Sequence, residues 1–207
     1  LKGSDIDLIA FGLTQRVSET GVLGLAVMSM NFGDIPETTV DQPEGTGATF
    51  APSYLNINAA YSKAFSNSIY GGFNFKIISE SISNASAQGI AIDAGIQYIT
   101  GENENVKFGV SLRNIGPRMR FSGDGFSIRA MLSGQESLFR LEHRIQDFEL
   151  PAQLNIGGAY DFLFERETRL TVAANFASNA FTKDQYVGGL EFSFRDYVML
   201  RGAYTFE

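Results

Sequence analysis

From Ile69 to Ile77 the chain alternates strictly: Ile69, Gly71, Phe73, Phe75 and Ile77 take the odd positions, and Tyr70, Gly72, Asn74 and Lys76 take the even ones. Successive side chains of an extended strand point to opposite faces, so this segment carries one greasy face and one polar face. The same alternation returns in ten segments: 5–16, 21–31, 53–65, 69–79, 89–99, 105–115, 150–162, 169–178, 185–194 and 198–206. Most run to about 10–13 residues, longer than the usual strand of a soluble sheet and close to what a tilted strand needs to cross a bilayer. A trace of helical period shows only in 127–146.

The greasy face collects Leu55, Ile57, Phe73, Phe75, Ile90, Ile92, Phe108, Val110, Leu190 and Phe192, among others. The polar face collects Asn56, Asn58, Asn74, Lys76, Asp93, Ser111, Arg113, Asn155, Asn175, Glu191 and Arg201, interleaved with Gly and Ala. Period alone leaves open which face is inside. A soluble barrel of the lipocalin kind turns its apolar set inward, whereas an outer-membrane barrel turns it toward lipid.

The connections favour the second arrangement. Short ones (Ser18-Glu19-Thr20, Ser66-Asn67-Ser68, 101–104, 165–167 and the turn at 195–196) alternate with longer ones (32–52, 80–88, 116–149 and 179–184). All short turns then lie at one end and all long loops at the other, which is how outer-membrane barrels are built. The expected fold is therefore an all-β, antiparallel transmembrane β-barrel of the outer-membrane type.

Composition narrows the function classes. The charged fraction is 19%, below the roughly 25% of soluble domains. A net charge of −7 argues against nucleic acid or anionic headgroups as main partners. The absence of cysteine excludes disulfides, zinc–thiolate sites and thiol catalysis. Trp is absent, but 8 Tyr and 18 Phe suffice for interfacial girdles. No run of eighteen apolar residues occurs, so no transmembrane helix is expected. The chain opens at Leu1 without an initiator Met and reads as a single barrel domain over 1–207, a piece incomplete at both ends.

Candidate chemistry is sparse. His143 is the only histidine, and without a G-x-S-x-G elbow it reads as an ordinary loop residue. Asp93 and Glu191 share the polar face with Lys76, Arg113 and Arg201, so ion pairs bracing a barrel interior explain them better than acid–base catalysis. The acidic stretch 33–50 lacks the spacing of a calcium loop, and Asn84-Ala85-Ser86 is a bare sequon. No catalytic residue, cofactor or metal is expected.

More specific is VKFGVSLRNIGPRMRFSG (106–123), a clean strand running into the turn cluster Asn114-Ile115-Gly116-Pro117 and a basic, aromatic segment. It resembles a phrase of the PorV/PorQ family of the type IX secretion system. GVLGLAVMSMNFGDIPETT, GTGATFAPSYLNINAAYSKAFSNSIYGGFNFKII, AQGIAIDAGIQY and LPAQLNIGGAYDF resemble further phrases of that family in the same order, together covering about 20–206. The loop 122–149 is longer than the family pattern.

The resemblance implies a 14-stranded barrel of the fatty-acid-transporter type in the bacterial outer membrane, with ten strands in this piece. It implies no enzymatic activity. It implies protein partners: the translocon barrel, secreted cargo with a C-terminal signal domain, and the surface attachment complex. The alternative is a transporter of long-chain fatty acids or other small hydrophobic molecules, which the polar lumen set disfavours. Arg118, Arg120, Phe121 and Phe126 are the expected partner-binding residues, as Arg and aromatics are enriched in hot spots. Lys76, Asp93, Arg113, Glu191 and Arg201 are expected as structural lumen ion pairs. Glu191 should lie opposite Arg201, Asp93 should lie within a diagonal step of Arg113, and together they should fill the bore.

Overall fold

The structure, a computed structural model, describes residues 6–123, 127–131, 138–142, 145–164, 167–195 and 197–207. Among these no helix occurs. The long strands are β1 (Asp7–Arg16), β2 (Gly21–Asn31), β5 (Ser53–Ala64), β6 (Ile69–Ile82), β7 (Ala85–Thr100), β8 (Val106–Ile115), β12 (Gln153–Phe164), β13 (Thr168–Asn179), β14 (Gln185–Phe194) and β15 (Val198–Phe206). They form one antiparallel sheet in that order, each strand paired with its neighbours in sequence. Short pairs decorate two loops: β3 (Ile35–Pro36) with β4 (Thr49–Phe50), and β10 (Ser127–Met131) with β11 (Leu138–Glu142), while β9 (Phe121–Ser122) adds to β7.

The alternation read from the sequence sets the faces. Leu55, Ile57, Phe73, Phe75, Ile77, Ile90, Ile92, Phe108, Val110, Leu190 and Phe192 are all exposed, and their polar neighbours Asn56, Asn58, Asn74, Lys76, Asp93, Ser111, Asn155 and Glu191 are half-buried or buried. This inverts the soluble arrangement: the greasy face is the outer one. Lower exposure on the polar face from β2 to β14 means that the sheet curls around it. One hollow touches Arg16 of β1, Gly95 of β7 and Asn175 of β13 alike. Among the described residues β1 and β15 do not pair with each other, so the curl is not closed.

Two expectations change. Residues 80–88 form no long loop, because β6 and β7 continue through them to a two-residue turn at Ser83-Asn84, with Ser83 at φ 50°. The trace of helical period in 127–146 belongs to a hairpin, in which Ser127 faces Glu142 and Met131 faces Leu138. Loop sorting survives in the two large connections, 32–52 and 116–152, both at one end. That end is called the loop end here, and the other the turn end.

Candidate functional site

The largest buried apolar cluster does not run along the sheet. It sits on the inner face at the loop end, where Ile78, Ala87, Ala91, Met119 and Leu150 pack with Tyr54, Phe121 and Phe148 around them. Met119, Leu150, Phe121 and Phe148 come from the 116–152 connection. Its two ends fold back onto the wall as a strap. Met119 and Phe148 exchange both backbone hydrogen bonds, at 2.8 and 2.9 Å. Ion pairs flank this bridge: Arg118 with Glu149 and Arg120 with Asp147, each 2.5 Å apart. Asp147 holds the Arg120 guanidinium even further above its ordinary pKa, by hydrogen bond and by charge. Phe121 stacks on Phe148 with centroids 5.5 Å apart.

Three glycines let the strap lie flat on β6 and β7. A β-carbon at Gly116 would come within 2.1 Å of the Ile90 carbonyl oxygen, and one at Gly123 within 2.1 Å of that of Asn84. At Gly89 the space of a side chain is filled by Met119, itself 1% exposed.

Asn114 ties strap to wall. Its φ is 57°, a left-handed conformation that Asn tolerates better than most residues. Its side-chain oxygen accepts from Lys76 Nζ at 2.7 Å, and its Nδ2 donates to the Pro151 carbonyl at 2.9 Å. Its backbone N–H donates to Asp93 Oδ1 at 2.8 Å. The last bond depends on a bulge: the β7–β8 register slips between Ile92 and Ala94, so Asp93 is left out of the ladder with its carboxylate free to cap Asn114. Lys76 closes the knot by pairing with Asp93 at 2.6 Å. An amide chain extends it along β5 and β6, with Asn74 donating to both Asn58 and Asp93.

Asn114→Ala should lose these side-chain bonds and strain the backbone, costing about 2–3 kcal/mol, whereas Asn114→Gly loses the bonds but relieves φ. Thermal unfolding in detergent should rank wild type above Gly and Gly above Ala. Equal variants would mean that the conformation carries no strain.

A second polar row lines the turn-end half. Lys107 pairs with Asp161 at 2.7 Å, and Thr171 donates to the other Asp161 oxygen at 2.7 Å. Glu191 takes the Arg201 guanidinium across β14 and β15 and lies 3.6 Å from Arg169. The register is the expected one, with Glu191 facing Arg201, Phe192 facing Leu200 and Phe194 facing Val198.

Of the lumen residues foreseen, the structure joins Lys76 with Asp93 and Glu191 with Arg201. It leaves Arg113 apart: the bulge gives Asp93 to Lys76 and Asn114, and the Arg113 side chain has no hydrogen-bond or ion-pair partner among the described residues. The joined pairs run along the wall of the open curl, beside a hollow of about 860 Å³. Of the four residues foreseen at a partner surface, Arg118, Arg120 and Phe121 are engaged within the strap, although both guanidiniums stay about two-thirds exposed (65% and 63%). Phe126, like His143, lies outside the described residues. Sequence reading passed over Asn114, Gly116 and Met119 as site residues. The N-I-G-P cluster was the available signal, but its partners Lys76, Ile90 and Pro151 are distant in sequence.

Among the described residues no group of three or more His, Cys, Asp or Glu side chains could hold a metal. What the site can do is hold a loop segment rigidly over a polar, curled wall.

No curated protein matches the chain. The family model for the type IX secretion system membrane protein PorP/SprF matches residues 42–207, a span that takes in the inner wall from β5 to β15 and the whole strap. The sequence phrases pointed to PorV/PorQ of the same secretion system. The match bears out the system and the membrane, and its description is PorP/SprF. The chain belongs to the PorP/SprF family of type IX secretion system membrane proteins.

Proposed function

We propose that this chain is a non-enzymatic outer-membrane component of the type IX secretion system that binds secreted proteins or the translocon barrel and passes cargo to the surface attachment machinery, as the PorV/PorQ resemblance implied. The sheet would be ten strands of a closed transmembrane barrel of fourteen, completed by strands on either side of β1 and β15. Its greasy outer face would meet lipid, its short turns the periplasm and its strap the cell surface. One observation carries this reading: within a chain of the PorP/SprF family, β5 to β8 and β14 expose Leu55, Ile57, Phe73, Phe75, Ile90, Ile92, Phe108, Val110, Leu190 and Phe192 on the outer face, whereas Asn58, Asn74, Lys76, Asp93, Ser111 and Glu191 lie on the less exposed inner face. A fatty-acid transporter would need an apolar lumen, whereas the inner wall here carries Asn and Ser side chains and ion pairs among its Gly, Ala and Val residues.

The strap and the loop 32–52 are the proposed docking surface, with the exposed guanidiniums of Arg118 and Arg120 as contacts and Phe126 beside them in sequence. Co-purification from detergent extracts tests it: translocon subunits or secreted cargo should come with the wild-type protein. A variant lacking 124–146 should keep the wall and lose those partners. Undiminished capture by the deletion variant would remove the loop from partner binding.

A further inference from the structure

The hollow inside the curl has a composition that the proposed docking surface does not use. It begins at the turn end, at Arg16, Glu19 and Tyr70, and runs past Lys107 to Ser111 and Asn155. A second hollow of about 390 Å³ continues it through the shared residues Ser62, Gly72, Gly95 and Ser111, and reaches Asn74, Asp93 and Arg113. Beyond that level stand the Lys76–Asp93–Asn114 knot and the strap. The space is wide because Gly72, Gly95, Gly109 and Gly157 place no side chain in it.

Charge is not evenly matched along this path. Lys107 is neutralised by Asp161, and Lys76 by Asp93. Arg16 at the entrance and Arg113 at the inner end have no carboxylate partner among the described residues, although Glu19 also lines the entrance. The knot fixes Asp93 on Lys76 and Asn114, so it is not available to neutralise Arg113. In a chain of net charge −7, an inner end that presents a guanidinium unmatched among the described residues is a place for an anion. The rest of the lining mixes small and apolar residues, such as Val22, Ala64 and Ala174, with the hydrogen-bonding side chains of Ser62, Ser111, Asn155 and Asn175, and in the second hollow the side-chain oxygen of Asn74 is buried and unpaired. An alkyl chain would leave those groups without partners, whereas a peptide chain carries donors and acceptors to match them.

We propose that this hollow binds the carboxylate end of a flexible, hydrophilic chain, such as a peptide C-terminus, that enters from the turn end, with Arg113 as its anchor. The proposal rests on the membrane-barrel reading above, and the test separates the two.

Because the chain has no cysteine, a single Ser111→Cys variant in lipid nanodiscs reports on the hollow without background. Its labelling by an anionic methanethiosulfonate, relative to a cationic one and normalised to a free thiol, should be favoured by about fivefold or more, the effect of one contact charge in watery surroundings. Arg113→Gln should abolish the preference and Arg113→Lys should retain it. A free-acid glycine–serine hexapeptide should slow labelling of Ser111→Cys, and its C-terminal amide should not. Equal rates for both reagents, a preference that survives Arg113→Gln, or protection by decanoate but not by the peptide would each overturn the proposal. Val110→Cys, on the outer face, is the separate control: it should be shielded by lipid, and rapid labelling there would strike the barrel reading instead.

Discussion

Replacing Gly116 with alanine is expected to detach the strap. The new β-carbon would sit 2.1 Å from the Ile90 carbonyl oxygen, and its next neighbours are the Ile90 carbonyl carbon and the Ala91 Cα. All three are backbone atoms of β7, a strand paired on both sides, so no side chain can rotate away. Either β7 bends or the segment after Asn114 lifts, and overpacking of this kind costs about 3 kcal/mol or more. Lifting is the cheaper route, since it breaks the Asn114–Pro151 bond and the Met119–Phe148 bridge but leaves the sheet ladder whole. Trypsin should then cut at Arg118 and Arg120 at least tenfold faster than in wild type, the factor that corresponds to about 1.4 kcal/mol of easier opening. Gly188→Ala is the control, because a β-carbon there meets nothing within 4 Å. Unchanged cleavage in Gly116→Ala would mean that the strap is not seated on β7.

The second large effect lies in the wall. Lys76 is 7% exposed and, among the described residues, its only carboxylate partner is Asp93 at 2.6 Å. In Lys76→Met the Asp93 carboxylate keeps the Asn114 N–H and the Asn74 amide but loses its counter-charge. Removing one member of a buried pair typically costs about 3–5 kcal/mol, because the remaining charge is stranded. Adding Asp93→Asn removes that charge while keeping an oxygen to accept from Asn114, so the double variant should recover most of the loss. Thermal melts of the single and double variants in one detergent check this. A double variant no more stable than Lys76→Met would mean that the cost comes from lost packing of the lysine stem.

Much of this was legible in the sequence, for a physical reason. Wherever a strand separates an apolar outside from a polar inside, every second residue must change character, and β2, β14 and β15 begin and end where the alternation does. The same reasoning fails where the outside is polar too. Ser79, Ser81 and Gln88 extend β6 and β7 beyond the greasy band, so residues 80–88 look like a loop. The ends of the 116–152 connection fail differently: Arg118 and Arg120 look like a free basic patch until Glu149 and Asp147, about thirty residues away, are seen beside them. Local pattern likewise placed Asp93 near Arg113. It could not foresee the one-residue bulge that hands Asp93 to Asn114 instead.

The central claim is that the greasy face of this sheet meets lipid and the polar face does not. Nitroxides placed one at a time from 108 to 112 on β8, in a reconstituted bilayer, test it directly. Positions 108, 110 and 112 should be accessible to dissolved oxygen and shielded from a water-soluble nickel complex, while 109 and 111 show the reverse. An accessibility profile without this two-residue period, or one in which 109 and 111 face the lipid, would contradict the account.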